Sequence, residues 1–247
     1  MHSARKRFAQ KSVIVTGGSR GLGAAIVRAF VREGARVGFT YAKDQASADE
    51  LSLELGETVL GEKVLVTDED ATDAFIRKVE AAFGPLDILV NNAGITQNLP
   101  LALLEADDFD KVMNVNVKGT YLTSRCALRS MIRRKKGLIM NIGSLAGERM
   151  IEAPIHYCAS KAAIRGLTQA MAKEVSRHGV RVLNLAPGLL EDGLGRNLPE
   201  HRLADYLKHN ALGRVGTFAE IAEACMFFAS EDASYTSGDT LVIDGGV

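Results

Sequence analysis

Along the chain, short unbroken apolar runs rich in β-branched residues alternate with longer stretches in which apolar residues recur every three or four positions. Seven runs of the first kind stand out: 12–17 (SVIVTG), 35–41 (ARVGFTY), 63–67 (KVLVT), 86–94 (LDILVNNAG), 137–144 (GLIMNIGS), 180–188 (VRVLNLAPG) and 240–246 (TLVIDGG). A strand with one wet face alternates apolar and polar residues, whereas one covered on both faces stays apolar throughout. Nearly all seven are of the second type, which predicts strands of a sheet buried between layers of helix. The stretches of helical period lie between them, near 21–33, 45–55, 70–83, 106–134, 155–177 and 218–229. This alternation predicts an α/β fold, a single doubly wound domain over residues 1–247 with a seven-stranded, mainly parallel sheet. The least regular region, 188–210, falls between the sixth and seventh runs. Open α/β sheets bind ligands beyond the carboxyl ends of their strands, so this region is expected to form a substrate lid, the alternative being a plain surface excursion.

Composition narrows the function classes. Hydrophobic residues make up 47% and charged residues 24%, enough apolar surface for a large core. Thirty basic and thirty acidic side chains cancel, so no overall field favours nucleic acid or an anionic membrane, and neither is expected as a partner. No stretch approaches the ~20 apolar residues of a membrane span. The cysteines, Cys126, Cys158 and Cys225, are odd in number and lack metal-ligand or redox spacing, as in a reducing compartment. A cytoplasmic protein without a metal site is expected. The basic start, MHSARKRFAQK, reads as a solvated end, with nucleic-acid contact as the alternative.

Two motifs carry chemistry. TGGSRGLG (16–23) joins the first strand to the first helix, and Gly17, Gly21 and Gly23 there suit close approach of a pyrophosphate to free N–H groups at a helix start. At the tip of the second strand an acid would accept a ribose 2′-hydroxyl and select NAD. Thr40 and Lys43 stand there instead, with Arg20 in the glycine loop, so a 2′-phosphate and hence NADP(H) is expected; Asp44 pulls the other way. The second motif is YCASK (157–161), which stacks Tyr157 and Lys161 on one helix face. A neighbouring ammonium would bring the phenol, ordinarily at about 10, closer to neutrality. Ser144, at the end of the fifth strand, and Asn116, an amide in an otherwise apolar helix, can converge with them on one carbonyl oxygen.

Taken together, TGGSRGLG, NNAG (91–94), Asn116, Ser144, YCASK, APG (186–188) and DGG (244–246) resemble the short-chain dehydrogenase/reductase family over almost the whole chain. Within it the likeness is greatest to 3-oxoacyl-[acyl-carrier-protein] reductases, through GSRGLG, GPLDILVNNAGIT, NVNVKGTYL and ASKAAIRGLTQAMAKEV. The resemblance implies a Rossmann-type fold and a homotetramer that passes hydride from a nicotinamide to a ketone. It implies Tyr157 as general acid, Ser144 as hydrogen-bond partner of the substrate oxygen, Lys161 on the nicotinamide ribose, and Asn116 holding a water that relays protons. It further implies a cofactor site in which Ser19 and Leu22 join the loop glycines and Arg20. Leu65, Val66, Asn92, Ala93 and Gly94 would serve the adenine side, and Pro187, Gly188 and Leu190 the nicotinamide.

Two positions depart from the family pattern: Leu65 stands where Asp or Asn is common, and Asp192 where a threonine is usual. His156, beside the tyrosine, is expected to line the substrate pocket. Arg133, Arg134, Lys135 and Lys136 form a basic run at a helix end, suited to an acidic carrier protein or merely to the helix dipole. The expected activity is reduction of a β-ketoacyl thioester. The alternatives are a reductase of free small carbonyl compounds and a silent NADP-binding regulator.

Overall fold

The structure, a computed structural model, describes residues 6–192 and 200–247. Strands β1 (Ser12–Val15), β2 (Arg36–Tyr41), β3 (Val59–Lys63), β4 (Leu86–Asn91), β5 (Gly137–Ile142), β6 (Val180–Pro187) and β7 (Thr240–Ile243) form one sheet in the order β3-β2-β1-β4-β5-β6-β7. Every pairing is parallel, so all carboxyl ends lie along one edge. The chain reverses direction across the sheet between β1 and β4, which opens a crevice at that edge.

Both faces are covered, as the unbroken apolar runs require. Helices α1 (Gly21–Arg32) and α8 (Phe218–Ala229) close one face over Ile26, Phe30, Ile221 and Met226. Helices α3 (Glu69–Phe83), α5 (Gly119–Arg134) and α6 (Ile155–Val175) close the other over Phe75, Val79, Met131 and Val175. Each such fully buried side chain contributes about 1.5–3 kcal/mol relative to exposure. The helices start where the sequence offers caps: Asp44 accepts from Ser47 N at 3.1 Å to open α2 (Gln45–Leu55), Asp68 accepts from Ala71 N at 3.0 Å to open α3, and Thr217 with Glu220 forms a capping box at α8. Helix α1 differs, because Arg20 at its cap makes no side-chain hydrogen bond there and no acid occupies its first turn.

Three expectations are corrected. The third strand runs over Val59–Lys63 rather than 63–67, overlapping only at Lys63. It is the sheet edge, where pairing with β2 demands no continuous apolar run. The apolar residues that followed, Val64 and Val66, are buried because the chain there turns inward to α3. The helix expected over 106–134 is divided into α4 (Ala106–Met113), a wide π-turn at Asn114–Lys118, and α5. Within the expected lid, residues 200–209 are helical, as α7 (Glu200–His209), while 193–199 lie outside the described residues. Tyr206 and Asn210 tie this region to the body: the Tyr206 hydroxyl accepts from Leu189 N at 2.9 Å, and Asn210 Nδ2 donates to Asp244 O at 2.7 Å.

One polar feature inside the sheet escaped the apolar-run reading. Asn91, Asn141 and Asn184 stand in register on β4, β5 and β6, all buried. Asn91 Nδ2 donates to Asn141 Oδ1 and Ser124 Oγ, both at 2.9 Å, and Asn141 Nδ2 donates to Thr168 Oγ1 at 2.8 Å. These bonds tie β4 and β5 to α5 and α6, while Asn184 Nδ2 donates to Thr240 Oγ1 of β7 at 3.1 Å.

Candidate active site

After β1 the chain enters the glycine loop, which the neighbouring strands hold in place. Gly17 N donates to Thr40 Oγ1 at 3.3 Å and Gly18 N to Thr40 O at 2.8 Å, so buried Thr40 shapes the loop from behind. Asn92 Nδ2 donates to the carbonyls of Thr16 and Gly17, each at 3.0 Å. A Cβ on Gly23 would lie 2.2 Å from Gly17 O, and Gly17 itself has φ +63°, so neither position tolerates a side chain. The uncapped start of α1, at Gly21, Leu22 and Gly23, therefore faces the crevice with its N–H groups, beside buried Ser19. Ala93 and Gly94 follow Asn92 on the far side of the crevice; a Cβ on Gly17 would lie 3.0 Å from Ala93 Cα.

At the tip of β2, Arg20 and Lys43 are exposed, and Arg20 Nη1 lies 3.8 Å from Asp44 Oδ2. The Asp44 carboxylate is engaged by Ser47, through N at 3.1 Å and Oγ at 2.9 Å, and these bonds hold its pKa down. Val66 is buried beside the crevice, whereas Leu65 is half exposed. Pro187 ends β6, Gly188 N donates to Ile243 O at 2.9 Å, and Leu190 bridges to Gly216. Asp192 is exposed, at the last described position before 193–199.

Ser144, Tyr157, Lys161 and Asn116 converge at the ends of β4 and β5. Ser144 follows β5 and accepts from Ala146 N at 3.2 Å, while its hydroxyl acts on the Tyr157 phenol. Lys161 is buried, and its Nζ donates to Ile142 O at 2.7 Å. Burial lowers its pKa from 10.5 to about 8. Gly147 allows the close packing of the Ser144 loop on α6, since a Cβ there would lie 2.5 Å from the Lys161 carbonyl carbon.

One expected effect is corrected, and a second residue is placed by its contacts. The Lys161 ammonium lies 5.6 Å from the Tyr157 ring centroid, over its face, and does not lower the phenol pKa. Burial raises that pKa, against a smaller lowering by the Ser144 hydroxyl, so the phenol is protonated at neutral pH. Asn116 is occupied by protein groups: Oδ1 accepts from Ile95 N at 2.8 Å, and Nδ2 donates to Ile95 O at 2.9 Å and Ser160 Oγ at 3.0 Å. Its amide builds the site wall. The π-turn around it is what aims that amide inward, a feature that NVNVK does not announce in sequence.

His156 is placed differently, and the basic run stands, as expected, at a helix end beside the fifth strand. His156 is fully enclosed, at 0% exposure, and so does not line an open pocket. Arg133–Lys136 stand at the amino end of β5, across the sheet from Ser144, where Arg134 Nη2 donates to Leu86 O. In its own chain the run is not beside the site.

The family model described as "Enoyl-(Acyl carrier protein) reductase" matches residues 17–247. A solved Serratia marcescens short-chain dehydrogenase/reductase, a doubly substituted mutant, superposes with a TM-score of 0.90 at 35% identity, covering 97% of this chain and 98% of its own. This chain is a member of the short-chain dehydrogenase/reductase family. Curated relatives include 3-oxoacyl-[acyl-carrier-protein] reductases FabG from Chlamydia trachomatis (37% identical; 96% of this chain and 97% of the relative) and Vibrio harveyi (38%; 96% and 97%). The protein of that name from Escherichia coli K12 is 35% identical over 97% and 98%. As a short-chain dehydrogenase/reductase the chain is an oxidoreductase of ketones and the matching alcohols, with a nicotinamide cofactor. Its residues fit that cofactor: an uncapped helix start behind a loop closed to side chains, and a buried lysine with donors to offer. Among the described residues no helix is long and apolar enough to cross a membrane.

Proposed function

We propose that this chain reduces the ketone of a β-ketoacyl thioester, on acyl carrier protein or coenzyme A, with NADPH, in fatty-acid or polyketide-type synthesis. The observation that carries the reading is the convergence of Ser144, protonated Tyr157 and buried Lys161 at one sheet edge beside the uncapped start of α1. The names of the curated relatives support the substrate class. The bound nicotinamide supplies the hydride. Tyr157, kept neutral by burial, gives its proton to the oxygen that becomes the alcohol, and Ser144 donates a hydrogen bond to the same oxygen as charge develops there. Lys161 holds the nicotinamide ribose with the donors that Ile142 O leaves available.

NADP(H) selectivity rests on Arg20 and Lys43 beside an Asp44 whose carboxylate is committed to capping α2. Arg20→Ala is expected to weaken NADPH far more than NADH in a fluorescence titration, because only the former brings a phosphate for a charge-assisted bond. Equal losses would remove the argument.

Assembly gives the basic run a role. Ala159, Ala162, Gly166 and Ala170 present an exposed small-residue stripe along α6. This suits antiparallel pairing of two copies within a homotetramer. Helix α6 carries Tyr157 near its start, and its far end meets the run: a Cβ on Gly179 would lie 2.3 Å from Lys135 O. Antiparallel pairing would bring the basic end of one copy to the Tyr157 end of the other, where an acidic carrier protein would deliver its acyl chain. The separation within one chain favours the second reading, a reductase of free carbonyl compounds. Turnover of NADPH with a short β-ketoacyl thioester, against a free ketone, decides between them.

A further inference from the structure

The imidazole of His156 is completely enclosed, and neither ring nitrogen has a hydrogen-bond partner among the described residues. Two more enclosed polar atoms without partners belong to the segment after β4: Thr96 Oγ1 and Gln97 Oε1. Leaving a buried donor or acceptor unmade costs about 1–3 kcal/mol, so an accumulation of them calls for a state in which they are made.

The surrounding contacts show how these groups relate. On α6, His156 precedes Tyr157 and is turned about 100° from it around the helix axis. It is directed toward α4, where the Asp108 carboxylate acts on the imidazole against the burial that lowers its pKa. Asp108 Oδ1 accepts from Gln97 Nε2 at 3.0 Å. On its other side the segment is held by Asn116, which bonds both N and O of Ile95. The segment starts at Gly94, where a Cβ would lie 3.8 Å from Lys161 Nζ. Ile95–Gln97 thus hangs between two anchors at the edge of the site, and Asp108 on α4, which packs on α6, links it to His156.

The unmade groups are complementary. A neutral imidazole has one N–H donor and one acceptor nitrogen; Gln97 Oε1 accepts, and the Thr96 hydroxyl donates. We propose that His156 is a positioning residue whose N–H bonds Gln97 Oε1 when the Ile95–Gln97 segment closes on bound substrate, so that this latent pair sets the fit of the substrate. Bonds of this kind are commonly long or unmade before substrate is present and tighten in the complex. The inference rests on the reading of the site as a carbonyl reductase.

The test combines kinetics with a measurement independent of turnover. His156→Leu and Gln97→Leu are each expected to raise KM for the β-ketoacyl thioester about tenfold, with kcat within about threefold, because misplacing a positioning wall weakens binding first. The double variant should be no worse than either single one, as for two residues that act through one bond. His156→Asn, which retains an N–H donor, should restore KM to within about threefold of wild type. NADPH affinity should be unchanged in all. In parallel, adding NADP⁺ and the β-hydroxyacyl thioester to ¹⁵N-histidine-labelled protein should move one His156 ring N–H downfield and slow its exchange, in wild type but not in Gln97→Leu. The spectral change without wild-type turnover would retain the pair and overturn the reductase reading. Multiplying KM effects, an Asn variant as impaired as Leu, or no spectral change would each overturn the pair.

Discussion

Lys161 is buried and Tyr157 partly so, and removal from water moves their pKa values in opposite directions for the same reason, by disfavouring the charged form. The phenol stays protonated and ready to donate, while the ammonium is held in an unfavourable place. Replacing Tyr157 with Phe should lower kcat at least about 10²-fold while nucleotide affinity and fold persist, the range expected for loss of an acid–base group. Lys161 has a pH signature. With a folded pKa of about 8 against 10.5, it binds fewer protons folded than unfolded between those values, so stability rises with pH across that window. Below it, the folded protein bears a buried charge at a penalty of roughly 3 kcal/mol. Lys161→Met should therefore raise the melting temperature of the nucleotide-free protein at pH 7, with the gain narrowing toward pH 10, while abolishing turnover. A melting temperature that falls at pH 7 would show that the ammonium is satisfied by contacts other than Ile142 O.

At the level of elements, the site depends on how closely the Ser144 loop lies on α6, and Gly147 is the point of nearest approach. Gly147→Ala would place a methyl 2.5 Å from helix backbone, so the loop must move and separate Ser144 from Tyr157. Loss of kcat on the order of 10²-fold with an intact glycine loop is expected, since small displacements of reacting groups are that costly. NADPH affinity within a few-fold of wild type, beside the fallen kcat, would confirm that only the Ser144 side moved. The sequence motifs located this arrangement well where a residue type is required by chemistry or by close packing: the loop glycines, Ser144 and YCASK. They failed where the signal was pairing context. An edge strand needs no apolar run, so Val59–Lys63 was invisible beside the more apolar 63–67. A π-turn has the composition of the helix around it, so NVNVK gave no sign of the break that aims Asn116. A polar ladder inside three apolar strands, Asn91, Asn141 and Asn184, became meaningful only once register put its members side by side. Helical spacing placed His156 away from Tyr157 but could not say that it would be sealed in.

Across the whole molecule, the parallel sheet gathers loop ends from β1, β4, β5 and β6 at one edge, and the basic run lies at the opposite edge, where the proposed pairing of two copies would bring it to the partner's site. Charge reversal at Lys135 and Lys136, both exposed, should raise KM for an acyl-carrier substrate, most at low salt where the Debye length reaches about 30 Å, and leave a small free β-ketoester unaffected. A like effect on both substrates, or none, would assign the run to capping α5. The central claim is carbonyl reduction of a β-ketoacyl thioester by Tyr157, and the absorbance of NADPH reports it directly. With a short β-ketoacyl thioester, wild type should consume NADPH and form the β-hydroxyacyl product one for one, and Tyr157→Phe should bind NADPH but turn over at least about 10²-fold more slowly. NADPH binding by wild type without turnover of that thioester, or equal rates in the two proteins, would contradict the account.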